Sequence, residues 1–291
     1  MSDSPPAALV DGLSSRWSRA VIRVLSIRGI IWLALALALL TTLLACLQAW
    51  RWQRDRQRTM FQADAKVLRN ALLERLGLYA QVLQGSRGLF AASEEVNAAE
   101  FHADMASLNL GENYPGIFGL GYIEMVKNGQ RDLFLQKVAA DRSLSRDPLQ
   151  IWPTGERSDY MVVRFVEPLA TNRVALGYDI GSEPVRRLGA IESADSGLPT
   201  LTPRIELLQG TGKSGALLFQ PLYSQTIGAA SPEDRENRLS GWVYAAFFVE
   251  RMMAGVRGPG NKWLEYEIFD GTEPSAEKLL CSSKGAGGSL A

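Results

Sequence analysis

The stretch that most resembles a catalytic motif is Gly210-Thr211-Gly212-Lys213-Ser214-Gly215, because Gly-Lys-Ser ends a phosphate-binding loop. Such a loop needs another glycine five residues before Gly212, so that successive backbone N–H groups wrap the phosphates, and Leu207 stands there. The loop must also open a helix, whereas Pro221 would break a helix formed by the residues that follow. The stretch is therefore interpreted as a Gly-rich turn between two strands, with nucleotide binding as the minor alternative.

His102 is the one histidine of the chain. A Ser-His-Asp hydrolase would need it, but the sequence contains no Gly-x-Ser-x-Gly elbow. A zinc site needs more histidines or cysteines than the chain holds, since Cys46 and Cys281 are its two cysteines. The sequence therefore predicts no catalytic residue, no metal and no cofactor, and it favours binding over catalysis. An external enzyme that uses His102 or a pair of acids stays as an alternative.

The charges are balanced, with 31 Lys and Arg against 31 Asp and Glu, which gives no reason to expect a nucleic-acid partner. Hydrophobic residues concentrate in residues 29–50, which carry no charge. As a helix this segment would be about 33 Å long, enough to cross the hydrocarbon core of a bilayer. Trp32 and Trp50 stand near its ends, where aromatic rings prefer the membrane interface. The sequence predicts a transmembrane helix over residues 29–50.

Two features of this helix leave alternatives open. A cleaved signal peptide is disfavoured by the long preceding segment, but Leu43-Leu44-Ala45-Cys46 resembles a lipoprotein processing site, so lipidation of Cys46 is a minor alternative. Arginines flank both ends of the span, so the positive-inside rule does not orient it.

After the span, residues 51–94 are predicted to form a stalk helix, because apolar residues recur at three- and four-residue steps from Ala65 to Phe90. This stripe either packs on its own domain or forms a dimerising stalk, and both can hold along different parts of it. Beyond it the pattern alternates short helices with strands. Helices are predicted at 97–108 (capped by Asn97 and Glu100), 185–196 (capped by Ser182 and ended by Gly197) and 250–256, and strands at 117–126, 161–166, 201–209, 216–223, 242–249 and 263–269. The fold class is α+β with a mostly antiparallel sheet.

Several short blocks, taken in order, resemble the CHASE domain family. They are Tyr114-Pro115-Gly116 through Gly121-Tyr122-Ile123, Phe165-Val166-Glu167-Pro168-Leu169, Asn172 through Asp179, Ser182 through Arg187, Ser196-Gly197-Leu198-Pro199 and Gly241-Trp242-Val243-Tyr244. The resemblance covers roughly residues 95–250 and is specific as a set.

The resemblance implies an extracytoplasmic sensor of histidine kinases or of nucleotide and diguanylate cyclases, with PAS-like subdomains on a stalk helix, in a homodimer. Residues 1–28 would then be a cytoplasmic tail, 29–50 the span of the inner (cell) membrane, and 95–280 the periplasmic sensor domain, followed by a disordered tail, 281–291. The membrane-proximal part of the sensor domain would be incomplete. No second span and no output domain follow, so a fragment or truncated product is expected.

The resemblance also implies a pocket for a small molecule. Its expected lining consists of Phe165, Tyr178, Ile191, Thr202, Phe219, Tyr223 and Tyr244. The carboxylate that holds the adenine ring in the plant cytokinin receptors has no counterpart here, so another ligand is expected. Asn172 and Arg173 suggest a polar or anionic one, and the favoured alternative is that this loop is simply solvated at the surface. The function alternative is a non-sensing membrane anchor or dimerisation module, whose pocket would be filled by its own side chains.

Overall fold

A computed structural model describes residues 11–93, 95–141, 149–208, 214–224, 238–254 and 265–283, with side chains from residue 28 onward. Its contacts divide the chain into two units, Met1–Ala65 and Lys66–Ala291. The predicted Gly-rich turn falls largely on residues 209–213, outside the described residues, so its conformation stays a prediction.

The first element is a single helix, α1 (Asp11–Ala92). It begins before the expected start at residue 29, because neither proline nor glycine interrupts residues 13–28. Gly85 and Gly88 lie inside it, near its end. Each glycine costs a helix about 1 kcal/mol, and packing of neighbours such as Leu83 and Phe90 on the domain core offsets that cost.

The centre of the second unit is an antiparallel sheet in the order β2–β1–β6–β5–β3, with β4 also paired to β5. Its strands are β1 (Ile117–Lys127), β2 (Asp159–Glu167), β3 (Thr200–Leu201), β4 (Ile205–Glu206), β5 (Ser214–Tyr223) and β6 (Leu239–Phe248). A separate hairpin pairs β7 (Glu267–Phe269) with β8 (Leu279–Ser282). The α+β class with an antiparallel sheet is confirmed.

Short helices cover both faces of the sheet. They are α2 (Ala98–Ser107), α3 (Leu110–Asn113), α4 (Arg131–Ala140), α5 (Leu169–Asn172), α6 (Pro184–Ser196) and α7 (Val249–Ala254). The end of α1 and α2 pack on one face, hereafter the stalk face, and α6 packs on the other, the α6 face. Burial on both sides explains why β5 and β6 are almost continuously apolar rather than alternating.

Helix α2 has the predicted capping box, in which the Asn97 side chain accepts from the Glu100 N–H and the Glu100 carboxylate accepts from the Asn97 N–H. The prediction that Ser182 caps α6 was wrong. Glu183, not Ser182, caps it, because the Glu183 carboxylate accepts from the Val185 and Arg186 N–H groups while Ser182 lies in the preceding turn. Gly197 ends α6 with φ 72°, as expected of a left-handed terminal glycine.

Three local expectations differ from the structure. The predicted strand 201–209 is reduced to β3 and β4, because Thr202 and Pro203 separate them. Helix α4 was not predicted, because its apolar residues form no clear stripe. Two of its own side chains, Phe134 and Val138, are buried. The folded chain passes the expected boundary at residue 280, because Cys281 is buried in β8.

Candidate functional site

The candidate site is a small cavity on the α6 face of the sheet, lined mostly by buried residues. Three strands contribute apolar side chains to its wall, namely Val163 and Val166 of β2, Leu217 of β5, and Tyr244 and Ala246 of β6. The chain between β2 and β5 supplies the rest: Asn172, Ala175, Tyr178, Ile180, Arg186, Leu207 and Leu208. A concave, mostly apolar space with a few polar groups is the usual form of a small-molecule site.

The sequence folds locally so that Tyr178 reaches this cavity. Gly177 precedes it with φ 74°, and a Cβ there would collide with the carbonyl oxygen of Gln150. Asp179 follows it, and its Oδ1 accepts from the N–H groups of Met161 (2.9 Å) and Gly181 (3.0 Å). The Tyr178 backbone is thereby tied to β2, and its ring packs against Trp152 with centroids 4.5 Å apart.

Helix α6 lies close to the sheet because its buried face is made of small residues. Gly189 approaches Thr202 and Phe219, and the Trp242 indole donates to the Ala190 carbonyl oxygen at 2.9 Å. The same face begins one turn earlier with Arg186, whose side chain is 7% exposed. The helix therefore buries a guanidinium at the cavity end of an otherwise small-residue stripe.

Asn172 forms the polar part of the wall at the other side. Its Nδ2 donates to the carbonyl oxygens of Phe118 (3.1 Å) and Pro168 (3.0 Å), so its side chain is held in place by backbone groups.

Burial raises the pKa of the Tyr244 hydroxyl, which therefore stays neutral near pH 7. The described wall thus offers neutral polar groups and one cation.

The cavity is small in this structure, at about 30 Å³. That is room for one or two water molecules, whereas sites for drug-sized ligands typically measure about 300–1,000 Å³. The structure therefore shows the site closed on its own side chains, and a larger ligand requires α6 or the segment from Asn172 to Tyr178 to move outward.

The seven predicted lining residues do not all meet in this cavity. Tyr178 and Tyr244 line it. Phe219 is fully buried next to Tyr244, and Thr202 lies behind it, where its hydroxyl accepts from the Leu217 N–H at 3.0 Å. These two residues hold α6 and β5 together rather than face the open space.

The other three predicted residues lie elsewhere. Phe165 is on the stalk face, stacked on Phe101 with centroids 5.3 Å apart, because a bulge at Arg164 changes the side to which β2 presents its residues. Ile191 is 37% exposed on the outer side of α6. Tyr223 donates to the Ala194 carbonyl oxygen and borders a second, open cleft. The seven residues therefore do not share one pocket in this structure, and their part in ligand binding stays a prediction.

That second cleft, about 1,080 Å³, lies on the stalk face. Arg164 dominates it: its Nη1 lies 2.8 Å from Glu124 Oε2 and its Nη2 lies 3.3 Å from Glu95 Oε1. Lys137 also pairs with Glu95, at 3.2 Å. The charges of this cleft thus largely pair with one another, and it is open to solvent.

Sequence reasoning missed Arg186 as a wall residue, although a signal existed. Arg186, Gly189, Ala190, Ser193 and Ala194 recur at three- and four-residue steps, which marks the buried face of a helix. An arginine at the head of such a stripe is unusual and identifies a charge placed inside the domain. Asn172 had been noted with Arg173, but only Asn172 is buried.

No group of three or more His, Cys, Asp or Glu side chains able to hold a metal occurs in the part of the chain that the structure describes. In the first unit, α1 supplies one helix that is long and apolar enough to cross a membrane, with a mean hydropathy of 2.6 in its most apolar window. Length and composition alone make this a weak indication of membrane attachment.

Comparison with known proteins identifies the family. The CHASE domain family matches residues 94–281, more than half of the chain, so the chain belongs to the CHASE domain family. CHASE domains are extracytoplasmic sensory domains of signal-transduction receptors such as histidine kinases. The chain is also similar to the hybrid signal transduction histidine kinase A of Dictyostelium discoideum, with 25% identity over 193 residues. That alignment covers 60% of this chain and 9% of the relative, so the two share a small part of the larger protein.

Proposed function

We propose that the chain is a membrane-anchored module that senses a small molecule outside the cytoplasm for a receptor of the histidine kinase or diguanylate cyclase type. The observation that carries the proposal is the cavity under α6, lined by Arg186, Asn172, Tyr178 and Tyr244 inside a CHASE-family domain. The antiparallel sheet, with helices between β2 and β3 folded across one face, supports a PAS-like description of this part.

Signalling requires that the ligand favour one of two arrangements of the protein, since equal affinity for both would shift neither. The sheet offers a physical route. Its α6 face forms the cavity, and its stalk face packs on α1, where Tyr79 and Phe247 meet edge to face with centroids 5.4 Å apart. A ligand that separates α6 from the sheet would change the packing available to β5 and β6, and through them to α1.

The ligand claim is tested by melting the full chain in nonionic detergent against a metabolite library. A ligand at a hundred times its Kd adds about 2.7 kcal/mol, or a rise in Tm of about 5–10 °C for a domain of this size. Ala175→Leu, which fills the cavity, should abolish the rise. Ala170→Leu, an exposed change in the neighbouring turn, should keep it. A rise that survives Ala175→Leu places the ligand elsewhere.

Membrane attachment and orientation need a separate test. We propose that residues 29–50 span the cell membrane with the sensor domain outside, as the CHASE assignment and the apolar helix support. Ala170→Cys in a Cys46→Ser background should react with a membrane-impermeant maleimide in right-side-out vesicles and not in inside-out vesicles. Labelling in inside-out vesicles alone would reverse the orientation.

A second candidate function is a non-sensing anchor or dimerisation module. The specific observation in its favour is the cavity volume of about 30 Å³, because this alternative expects a pocket filled by the protein's own side chains. It predicts that no library member raises the Tm of wild type more than that of Ala175→Leu. The same melting experiment therefore separates the two functions.

A further inference from the structure

Arg186 is the one charged residue among the described side chains that line the cavity. Its Nη2 donates to the Glu206 carbonyl oxygen at 2.5 Å, and its guanidinium carbon lies 5.1 Å from the centre of the Tyr178 ring. Its Nε is buried and has no hydrogen-bond partner. An unmade hydrogen bond at a buried charged donor is costly, so this arrangement is incomplete as it stands.

The neighbouring carboxylate of Glu183 does not supply the missing hydrogen bond to Arg186 Nε. Glu183 Oε2 lies 3.8 Å from Arg186 Nε, beyond hydrogen-bonding distance. Both Glu183 oxygens already accept N–H groups, Oε1 from Val185 and Oε2 from Arg186, as the cap of α6. Turning this carboxylate toward the guanidinium would leave the helix start without its cap. Loss of a helix cap lowers helix stability by about two- to thirtyfold.

The rest of the described wall is mainly apolar, with Asn172, Tyr178 and Tyr244 as its polar side chains. Val163, Leu217 and Ala246 come from the sheet, and Ala175 and Ile180 come from the opposite side. The described wall contains no carboxylate. A ligand in this cavity thus meets the Arg186 guanidinium, whose Nε has no hydrogen-bond partner, and aliphatic side chains.

We propose that the ligand of this site is an amphipathic carboxylate, with its carboxylate bound by Arg186 and its apolar body against the sheet. This inference rests on the proposed sensing function and names the chemical class of its ligand. An arginine fork matches the two oxygens of a carboxylate, and the desolvated cavity strengthens such a charge-assisted pair. The outward movement of α6 that admits the apolar body keeps Arg186 at the cavity wall, because Arg186 belongs to α6.

The test uses matched acid and amide probes on the full chain in nonionic detergent. Butyrate, benzoate, phenylacetate and indole-3-acetate are titrated by calorimetry beside butyramide, benzamide, phenylacetamide and indole-3-acetamide. At least one acid should bind about ten- to a hundredfold more tightly than its amide, the usual range for a hydrogen-bonded charge pair. This comparison within the wild type does not depend on whether any variant folds.

Arg186→Met should bring the acid down to the affinity of its amide, and Arg186→Lys should restore part of the difference. Arg187→Met is the matched control, because Arg187 is adjacent in α6 but pairs with Asp159 at 2.9 Å, away from the cavity wall. An acid preference that survives Arg186→Met, or amides that bind as tightly as acids, overturns the inference while the sensing function stands. If no acid of the panel binds, the inference is overturned. A neutral ligand found by melting the protein against the metabolite library would still support the sensing function.

Discussion

Asp179 shows, at the scale of single residues, how the wall of the cavity is held. It is fully buried, its Oδ1 accepts two N–H groups, and its Oδ2 lies 3.3 Å from Arg157 Nη1. Burial raises the pKa of this carboxyl, because desolvation outweighs the opposing effects of the Met161 N–H and Arg157. Asp179 thus fixes Tyr178 and Ile180 at some cost to its own ionised form.

This raised pKa predicts a pH effect of Asp179→Asn, measured by urea unfolding of the full chain in nonionic detergent between pH 4 and 7. The folded pKa lies above the unfolded value of about 3.9, so the contribution to stability is complete below that value and is lost as the pH rises through the folded pKa. Wild type should therefore lose stability relative to the asparagine variant over this range.

Asp195→Asn, at an exposed position of α6, controls for the substitution itself. If wild type instead gains stability over Asp179→Asn as the pH rises, Arg157 and the N–H groups outweigh burial, and the direction given for the pKa is wrong.

Gly177 gives a second prediction at this scale. Its φ of 74° is strained for other residues, and a Cβ would meet the Gln150 carbonyl oxygen. Gly177→Ala should therefore lower the free energy of unfolding by about 1–3 kcal/mol and loosen the Tyr178 ring, seen as changed near-ultraviolet circular dichroism. Gly129→Ala is the control, since nothing lies within 4 Å of a Cβ there and its φ is ordinary. Equal effects of the two changes would contradict the argument.

At the scale of elements, the end of α1 is part of the domain core rather than a detached support. Tyr79 and Leu83 are buried against the stalk face, and the Tyr79 hydroxyl donates to the Pro115 carbonyl oxygen. Burial raises the pKa of Tyr79 to about 12, so its hydroxyl remains a donor at physiological pH. This packing is what would allow a change in the sheet to reach α1.

Two leucines of α1 make this testable. Leu83→Ala should destabilise the protein by about 2–5 kcal/mol, because a buried leucine leaves a cavity when truncated. Leu78→Ala should cost less than about 0.5 kcal/mol, because Leu78 is 43% exposed. Thermal or urea unfolding of the two variants checks the contrast. Similar losses would mean that α1 does not pack on the sheet as described.

At the scale of the whole molecule, packing on the domain and dimerisation can be assigned to different apolar residues of α1. Leu68, Leu72 and Leu76 pack toward the domain core. Val67 and Leu78 stay exposed, and a spacing of eleven residues places them on one side of α1. We propose that the homodimer implied by the resemblance to CHASE domains uses this second side, because exposed apolar side chains on one line of a helix suit a partner helix.

Cysteine cross-linking tests this dimer in membranes. In a Cys46→Ser background, Leu78→Cys should form disulfide-linked dimers on mild oxidation. Arg69→Cys, also exposed but half a turn away around the helix, should form far fewer. Equal cross-linking at both positions, or none at Leu78, would contradict a dimer through this side of α1.

Much of the local structure follows from patterns along the chain. The apolar run of residues 29–50, the capping box at Asn97 and Glu100, Gly197 at the end of α6 and the long strands can be recognised without tertiary contacts. Each depends on neighbours within a few residues. The order of short CHASE-like blocks predicted the family, which the match over residues 94–281 confirms.

The make-up of the cavity depends on tertiary contacts that a linear pattern does not contain. The bulge at Arg164 turns Phe165 toward Phe101 of α2, and the Gly189–Ala190 surface of α6 decides how closely that helix approaches the sheet. Tyr178 and Tyr244 therefore line the cavity in this structure, whereas Phe165 and Ile191 do not. The sequence alone established the type and position of most helices and strands, because those follow from local periodicity. Which side chains converge, and that Arg186 is the buried charge among them, followed from the packing of elements far apart in the chain.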